Sequence, residues 1–179
     1  AETIASTPSS PLSMAARTLS GLTSSAGIVV VSQKVLPSEL VSGTDAPLID
    51  EVGKGALAGS MVVCGYTTTK YRVKDIFTTT GFKDSKALSR KQREKLSYPI
   101  EYGGLHVMSI IPPQRIDEMG ITKAWEEGVN AIVAYFRSLG ATMFMVDGNM
   151  APGSFMSDLG PPYECVVKGD TKVYEIACA

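Results

Sequence analysis

The 179-residue sequence predicts an α/β fold with a mixed β-sheet flanked by helices. Three observations carry this. Short β-rich or apolar runs recur at 28–31, 48–51, 60–68, 106–111, 141–146 and 163–167, and read as strands. Two intervening stretches, 90–98 and 125–139, carry helical signals instead. The two kinds of element are interspersed along the chain, which is the pattern of an α/β sheet. Composition agrees: 44% hydrophobic and 20% charged residues with a formal net charge of -1 is ordinary for a globular domain. No stretch approaches the ~20 uninterrupted apolar residues a membrane helix needs, so no membrane partner is expected.

Taken in order, residues 1–26 are rich in Ser, Thr, Ala and Pro and show no usable periodicity, so a flexible tail is expected. Ile28–Val31 is strand-like, and Gly43 to Pro47 forms a loop. Residues 1–47 are therefore read as an N-terminal extension and 48–179 as the folded body. Leu48–Glu51 is a short strand ending in two acids, followed by a turn containing Gly53, Gly55 and Gly59. Ser60–Thr68 is a strand able to pair back as a hairpin. Residues 82–86 form a loop. Ser89 with Gln92 makes a capping box, predicting a helix from about Arg90 to Tyr98, ended by Pro99.

His106–Ile111 is a strand stopped by Pro112 and Pro113. Trp125, Val129, Ile132, Val133 and Phe136 recur at three- and four-residue spacing, so a helix spans Trp125 to Leu139 and Gly140 caps it. Ala141–Val146 is an apolar strand that runs into Asp147 and Gly148. A Pro/Gly loop covers 150–163, Tyr163–Val167 is a strand, and Val173 to Ala179 reads as the start of a helix. The same periodicity reads Trp125 as a core residue. His106 in a strand reads as structural, and Cys64 in an apolar strand as buried and inert.

Cysteine and histidine usage narrows the chemistry. Cys64, Cys165 and Cys178 are three, well separated and without a Cys-x-x-Cys pair, so no disulfide framework is expected. His106 is the single histidine. A zinc site would have to combine it with distant cysteines, so any metal is expected to be hard and oxygen-ligated.

Charge is unevenly distributed. Residues 70–95 hold nine basic side chains (Lys70, Arg72, Lys74, Lys83, Lys86, Arg90, Lys91, Arg93 and Lys95) against three acidic ones. A solvated helix face would explain a basic run taken alone. A phosphate-contacting patch is the sharper reading, because local lysines and arginines bind polyanions whatever the total charge.

The acids have a different distribution. Asp50 and Glu51 end one strand, Asp147 ends a second, and Asp170 follows a third. Ligand sites in α/β sheets form beyond the carboxyl ends of strands. If these strands are parallel neighbours, four carboxylates converge and repel one another unless cations fill the space. Mg²⁺ or Mn²⁺ suits an all-oxygen donor set and binds alongside phosphates. Two such ions could activate a water and stabilise a leaving oxygen. Gly53-Lys54-Gly55, directly after the first acids, lets backbone approach a ligand closely. Its spacing matches neither a dinucleotide fingerprint nor a P-loop.

The string Ile49-Asp50-Glu51-Val52-Gly53-Lys54-Gly55-Ala56-Leu57-Ala58-Gly59 resembles the opening motif of the type 2 ribonucleases H, ribonuclease HII and its relatives. That motif reads Asp-Glu-Ala-Gly-Arg-Gly-Pro-Leu-Ala-Gly. Asp84-Ser85-Lys86 with Leu88-Ser89 and Arg93-Glu94 is similar to a second family segment. Ile116-Asp117 with Gly120-Ile121 and Ala124, then Val146-Asp147-Gly148, then Val166-Val167-Lys168-Gly169-Asp170 with Glu175-Ile176, complete five motifs in family order over about 48–179.

The resemblance implies a ribonuclease H-like fold. It also implies a metal-dependent endonuclease that cleaves RNA in RNA–DNA hybrids and at ribonucleotides embedded in duplex DNA, leaving 3′-hydroxyl and 5′-phosphate ends. Asp50, Glu51, Asp147 and Asp170 map onto the family's metal-binding, catalytic carboxylates, which hold two Mg²⁺ or Mn²⁺ ions. Gly53, Lys54 and Gly55 map onto the element that approaches the 2′-hydroxyl, the group that separates RNA from DNA. Lys86 maps onto a phosphate-contacting loop lysine, and Lys168 is expected to assist it. A cytoplasmic location is expected.

Lys54 stands where the family has arginine, keeping the charge and losing the planar fork. The sequence ends at Ala179, inside the helix expected after Asp170, and the family's further helices with their junction-packing tyrosine are expected to be missing. Exposed apolar surface or a partner chain is then expected. The alternative reading is a truncated, catalytically silent hybrid-binding module.

Overall fold

The computed structural model describes residues 17–18, 28–32, 46–56, 58–68, 85–149, 163–173 and 176–179. Seven strands form one sheet: β1 (Arg17–Thr18), β2 (Ile28–Ser32), β3 (Leu48–Val52), β4 (Met61–Thr68), β5 (Gly104–Ile111), β6 (Phe144–Asp147) and β7 (Tyr163–Val166). Their order is β1-β2-β5-β4-β3-β6-β7. The pairs from β1 to β3 are antiparallel, whereas β3, β6 and β7 run parallel. The α/β class with a mixed sheet is therefore as the sequence predicts. The strands at 28–32, 48–52, 61–68 and 163–166 lie within a residue or two of their expected bounds. The expected tail lies outside the described residues except at Arg17–Thr18, which pair with Val31 and Val30. The 150–163 loop lies outside them up to residue 162.

The helices are α1 (Arg90–Gly103), α2 (Pro113–Met119), α3 (Ile121–Ser138) and a single turn, α4 (Gly169–Lys172). α1 begins as expected. Ser89 Oγ accepts from Gln92 N at 3.4 Å, and Ser89 N donates to Gln92 Oε1 at 2.8 Å. It does not end at Pro99, which lies inside the helix. Proline removes one intrahelical donor. The helix continues because its second half is docked: Leu96 is buried, and Tyr66 Oη donates to the Ile100 carbonyl at 3.2 Å.

Four further expectations are corrected. Pro113 ends the preceding strand but also opens α2, since proline suits the first helical position, where its missing N–H costs nothing. The main helix starts at Ile121, four residues before Trp125, behind Gly120 at φ +83° with no side-chain cap to announce it. Among the described residues after Asp170, no helix longer than the α4 turn follows. Val173 returns to extended backbone, and Ile176–Cys178 form a 3-10 turn. β6 also begins at Phe144, three residues later than the apolar run suggests.

α3 supplies the core's second layer. Its apolar stripe of Trp125, Val129, Ile132, Val133 and Phe136 is buried against Ile49, Met61, Val63, Val107, Ile111 and Val146 of the sheet. α2 is tied to it by Arg115, whose Nη2 and Nε meet Glu127 at 2.8 and 3.2 Å. Among the described residues no helix is long and apolar enough to cross a membrane.

Candidate active site

The sheet order brings the predicted acids together. Leu48 pairs with Met145 and Ile49 with Val146, so Asp50 and Asp147 follow one step later, where the β3–β6 pairing stops. Asp50 and Glu51 do not end β3 as expected, because pairing with Cys64 and Val63 of β4 carries the strand on to Val52. On the far side of β6, Asp147 pairs with Val166 of β7, and the turn at Val167 and Lys168 leads to Asp170 in α4. Consecutive strand residues point to opposite faces. Glu51 thus points toward α3, on the same face as Ile49, whereas Asp50 lies on the other face.

Electrostatics shows that the four acids share one field. The Asp50 carboxyl stands at about 6: burial raises it most, the Glu51 N–H bond pulls it down, and the charges of Asp147, Glu51 and Asp170 add to the rise. That N–H donates to Asp50 Oδ1 at 2.7 Å. Asp147 is held by Gly169 N, which donates to its Oδ1 at 2.6 Å. A β-carbon at Gly169 would lie 2.9 Å from that oxygen, so glycine is required for the contact.

Glu51 is fixed from the opposite face. Trp125 Nε1 donates to its Oε2 at 3.1 Å, and Lys54 Nζ lies 3.5 Å from its Oε1. Sequence periodicity places Trp125 in the core, where it is, yet does not reveal this bond. The available signal was its place at the end of the apolar stripe beside the acid-bearing strand.

The donor set suits hard divalent cations in chemistry: four carboxylates, one of them half-buried and raised chiefly by that burial and further by its acidic neighbours. Among the described residues no three acids, cysteines or histidines already stand at metal-ligand spacing.

The basic and glycine elements are placed as follows. Gly53 has φ +93° and opens a turn closed by Ala56 N donating to Gly53 O at 3.1 Å. Gly55 is exposed, with open space where a side chain would stand. Lys86 is exposed in the 3-10 turn Ser85–Ala87, before α1. Lys168 is exposed and left-handed at φ +56°, on the turn that sets Gly169 against Asp147. Asp84 and Glu175 of the motifs lie outside the described residues. Cys64 is buried opposite Asp50, and burial pushes its thiol up to about 12, so it is inert as expected.

Acidic side chains gathered on neighbouring parallel strands, in a sheet with an antiparallel extension, define an α/β protein with a carboxylate-rich site. Comparison with known proteins narrows that class. The model of the family described as Ribonuclease HII matches residues 49–179, and the chain belongs to that family. It is 36% identical over 132 residues to Ribonuclease HII of Chlorobium chlorochromatii, covering 73% of this chain and 62% of that protein. It is 34% identical over 141 residues to the Chlorobium phaeobacteroides protein of that name, covering 78% and 64%. The chain thus spans less than two thirds of the length of these relatives.

Among solved structures, the PCNA:RNase HII complex from Archaeoglobus fulgidus matches with a TM-score of 0.63 at 26% identity, covering 76% of this chain and 69% of that one. A Bst-RNase HIII structure in complex with Mn²⁺ matches with a TM-score of 0.63 at 20% identity, over 80% and 52% of the two chains. The second likeness bears on the fold alone. The ribonuclease H-like fold expected from the motifs is the fold found.

Proposed function

We propose that this chain is the catalytic part of a metal-dependent endoribonuclease. It cleaves RNA in RNA–DNA hybrids and at ribonucleotides embedded in duplex DNA, leaving 3′-hydroxyl and 5′-phosphate ends. The observation that carries the reading is the placement of Asp50, Glu51, Asp147 and Asp170 by the parallel β3–β6–β7 pairing and the turn into α4, which puts all four acids in one field. Those four side chains would hold two Mg²⁺ or Mn²⁺ ions, which when bound polarise the scissile phosphate and ready a water for attack.

The chain's own residues supply orientation. Gly169 N–H holds Asp147 in place, and the N–H of Glu51 does the same for Asp50. The Gly53-Lys54-Gly55 turn presents backbone to the 2′-hydroxyl, with room above Gly55 for a sugar. Lys86 and Lys168 hold phosphates on either side. The three free cysteines suit a reducing cytoplasm, where we place the protein.

The test is a DNA duplex carrying one ribonucleotide, incubated with Mg²⁺ or Mn²⁺. We expect a cut on the 5′ side of the ribonucleotide. Asp147→Asn should lower cutting by at least about a thousandfold while melting like the parent protein, since a neutral amide is a poor partner for a divalent cation. No cut at high enzyme concentration would sink the reading. Salt-sensitive binding without cleavage would select the silent hybrid-binding module instead.

A further inference from the structure

Glu51, Lys54 and Trp125 close a triangle. Trp125 Nε1 donates to Glu51 Oε2 at 3.1 Å, Lys54 Nζ stands 3.5 Å from Glu51 Oε1, and the same ammonium lies 4.2 Å from the centre of the Trp125 ring. Both oxygens of one candidate metal ligand are therefore engaged by side chains of opposite character. Trp125 is 3% exposed, and its indole is locked in the core between helix and sheet. The Lys54 side chain is 40% exposed on a surface turn and hangs on a flexible four-carbon stem. One partner is rigid and neutral; the other is mobile and charged.

That asymmetry assigns different tasks. A donor fixed in the core orients a ligand without competing for the cation, which is the role outer partners play around metal sites. An ammonium on the other oxygen occupies the electrostatic position that a divalent ion needs. A partly exposed ion pair is weak and exchanges readily.

We propose that Trp125 is a positioning residue that aims Glu51 through Oε2, and that Lys54 is a tethered counter-ion on Oε1 which an incoming divalent cation displaces. The proposal rests on the reading of Glu51 as a metal ligand given above. It makes two predictions of opposite sign. Loss of the indole N–H weakens cation binding, and loss of the ammonium strengthens it. Trp125 is the only tryptophan in the chain, so its emission reports the departure of Lys54 from the ring face.

The experiment is calorimetric titration of Mg²⁺ and of Mn²⁺ into the full chain and four variants. These are Trp125→Phe, Lys54→Met, Asp147→Asn, and protein in which the tryptophan is replaced biosynthetically by benzothienyl-alanine, which keeps the shape and lacks the N–H. Trp125→Phe and the analogue should weaken binding by about tenfold. Lys54→Met should tighten it by about threefold, as expected for removal of a weak competing pair. Tryptophan emission should change on adding Mg²⁺ to the parent protein and change much less in Lys54→Met. Trp125→Phe could lose stability through its packing, in which case the analogue decides. Equal affinity of the analogue and the parent overturns the role of Trp125. Unchanged or weaker binding by Lys54→Met, or emission indifferent to Mg²⁺, overturns that of Lys54. If the parent binds neither ion, the metal reading of the four acids fails instead, a separate outcome.

Discussion

Asp147 depends on a neighbour that has no side chain. The Gly169 N–H reaches its Oδ1 at 2.6 Å only because nothing stands on the Gly169 α-carbon. A methyl there would meet Ile176 Cδ1 and crowd Asp147 Oδ1 at 2.9 Å. We expect Gly169→Ala to cost about 1–3 kcal/mol of stability, the range for overpacking a tight site. Cleavage should fall by about 10- to 100-fold through the displaced carboxylate. A melt and a rate on the embedded-ribonucleotide duplex check both, and a loss of stability without a loss of rate would show that Asp147 tolerates the shift. At this scale the sequence was partly legible. The acids could be read as strand-end carboxylates, and the five motifs tied them together. The hydrogen bonds that aim them could not be read, because the Gly169 and Trp125 donors are set by tertiary approach and leave no local pattern.

At the scale of elements, legibility followed the strength of the local signal. The α1 start was legible because a capping box is a local device, and both of its bonds form. The two bonds are unequal. Gln92 Oε1 accepts from Ser89 N at 2.8 Å, whereas Ser89 Oγ accepts from Gln92 N at 3.4 Å. Ser89→Ala should therefore cost about 0.5 kcal/mol, the low end for losing such a cap. Gln92→Ala should cost at least as much, and urea melts of the two variants make the comparison. A larger loss for Ser89→Ala would mean that the longer bond is the stronger. The α1 end was not legible, because tertiary docking of Leu96 and Ile100 outweighs Pro99. The α2 helix was missed for a related reason: a proline pair reads as a stop, yet the second proline also suits a helix start.

At the scale of the whole molecule, the net charge of -1 conceals a division of labour. The acids collect where the β3–β6 pairing stops, and part of the basic segment lies on α1, which packs beside β5. β5 is two strands from β3, roughly 10 Å across the sheet, so a single duplex can reach both. The described bases of this segment do not all face the same task. Arg90 Nε bonds Glu94 at 2.7 Å, and Arg93 Nη1 donates to the Ser85 and Leu88 carbonyls at 3.1 and 2.6 Å, bracing the turn that carries Lys86. Lys91 and Lys95 are exposed, and we expect phosphates to be their partners. Each lysine that neutralises a phosphate releases counter-ions, so the logarithm of affinity falls linearly with the logarithm of salt concentration. We expect Lys91→Gln and Lys95→Gln each to lower that slope by about one when they are made separately in the chain. Both should weaken binding of RNA–DNA hybrids of every sequence alike, because phosphates carry no sequence information. Hybrid binding by Asp147→Asn, measured without divalent ions from low to moderate salt, supplies the reference slope free of cleavage. Slopes unchanged by both lysine substitutions would return this face to the solvated helix that a basic run more often makes.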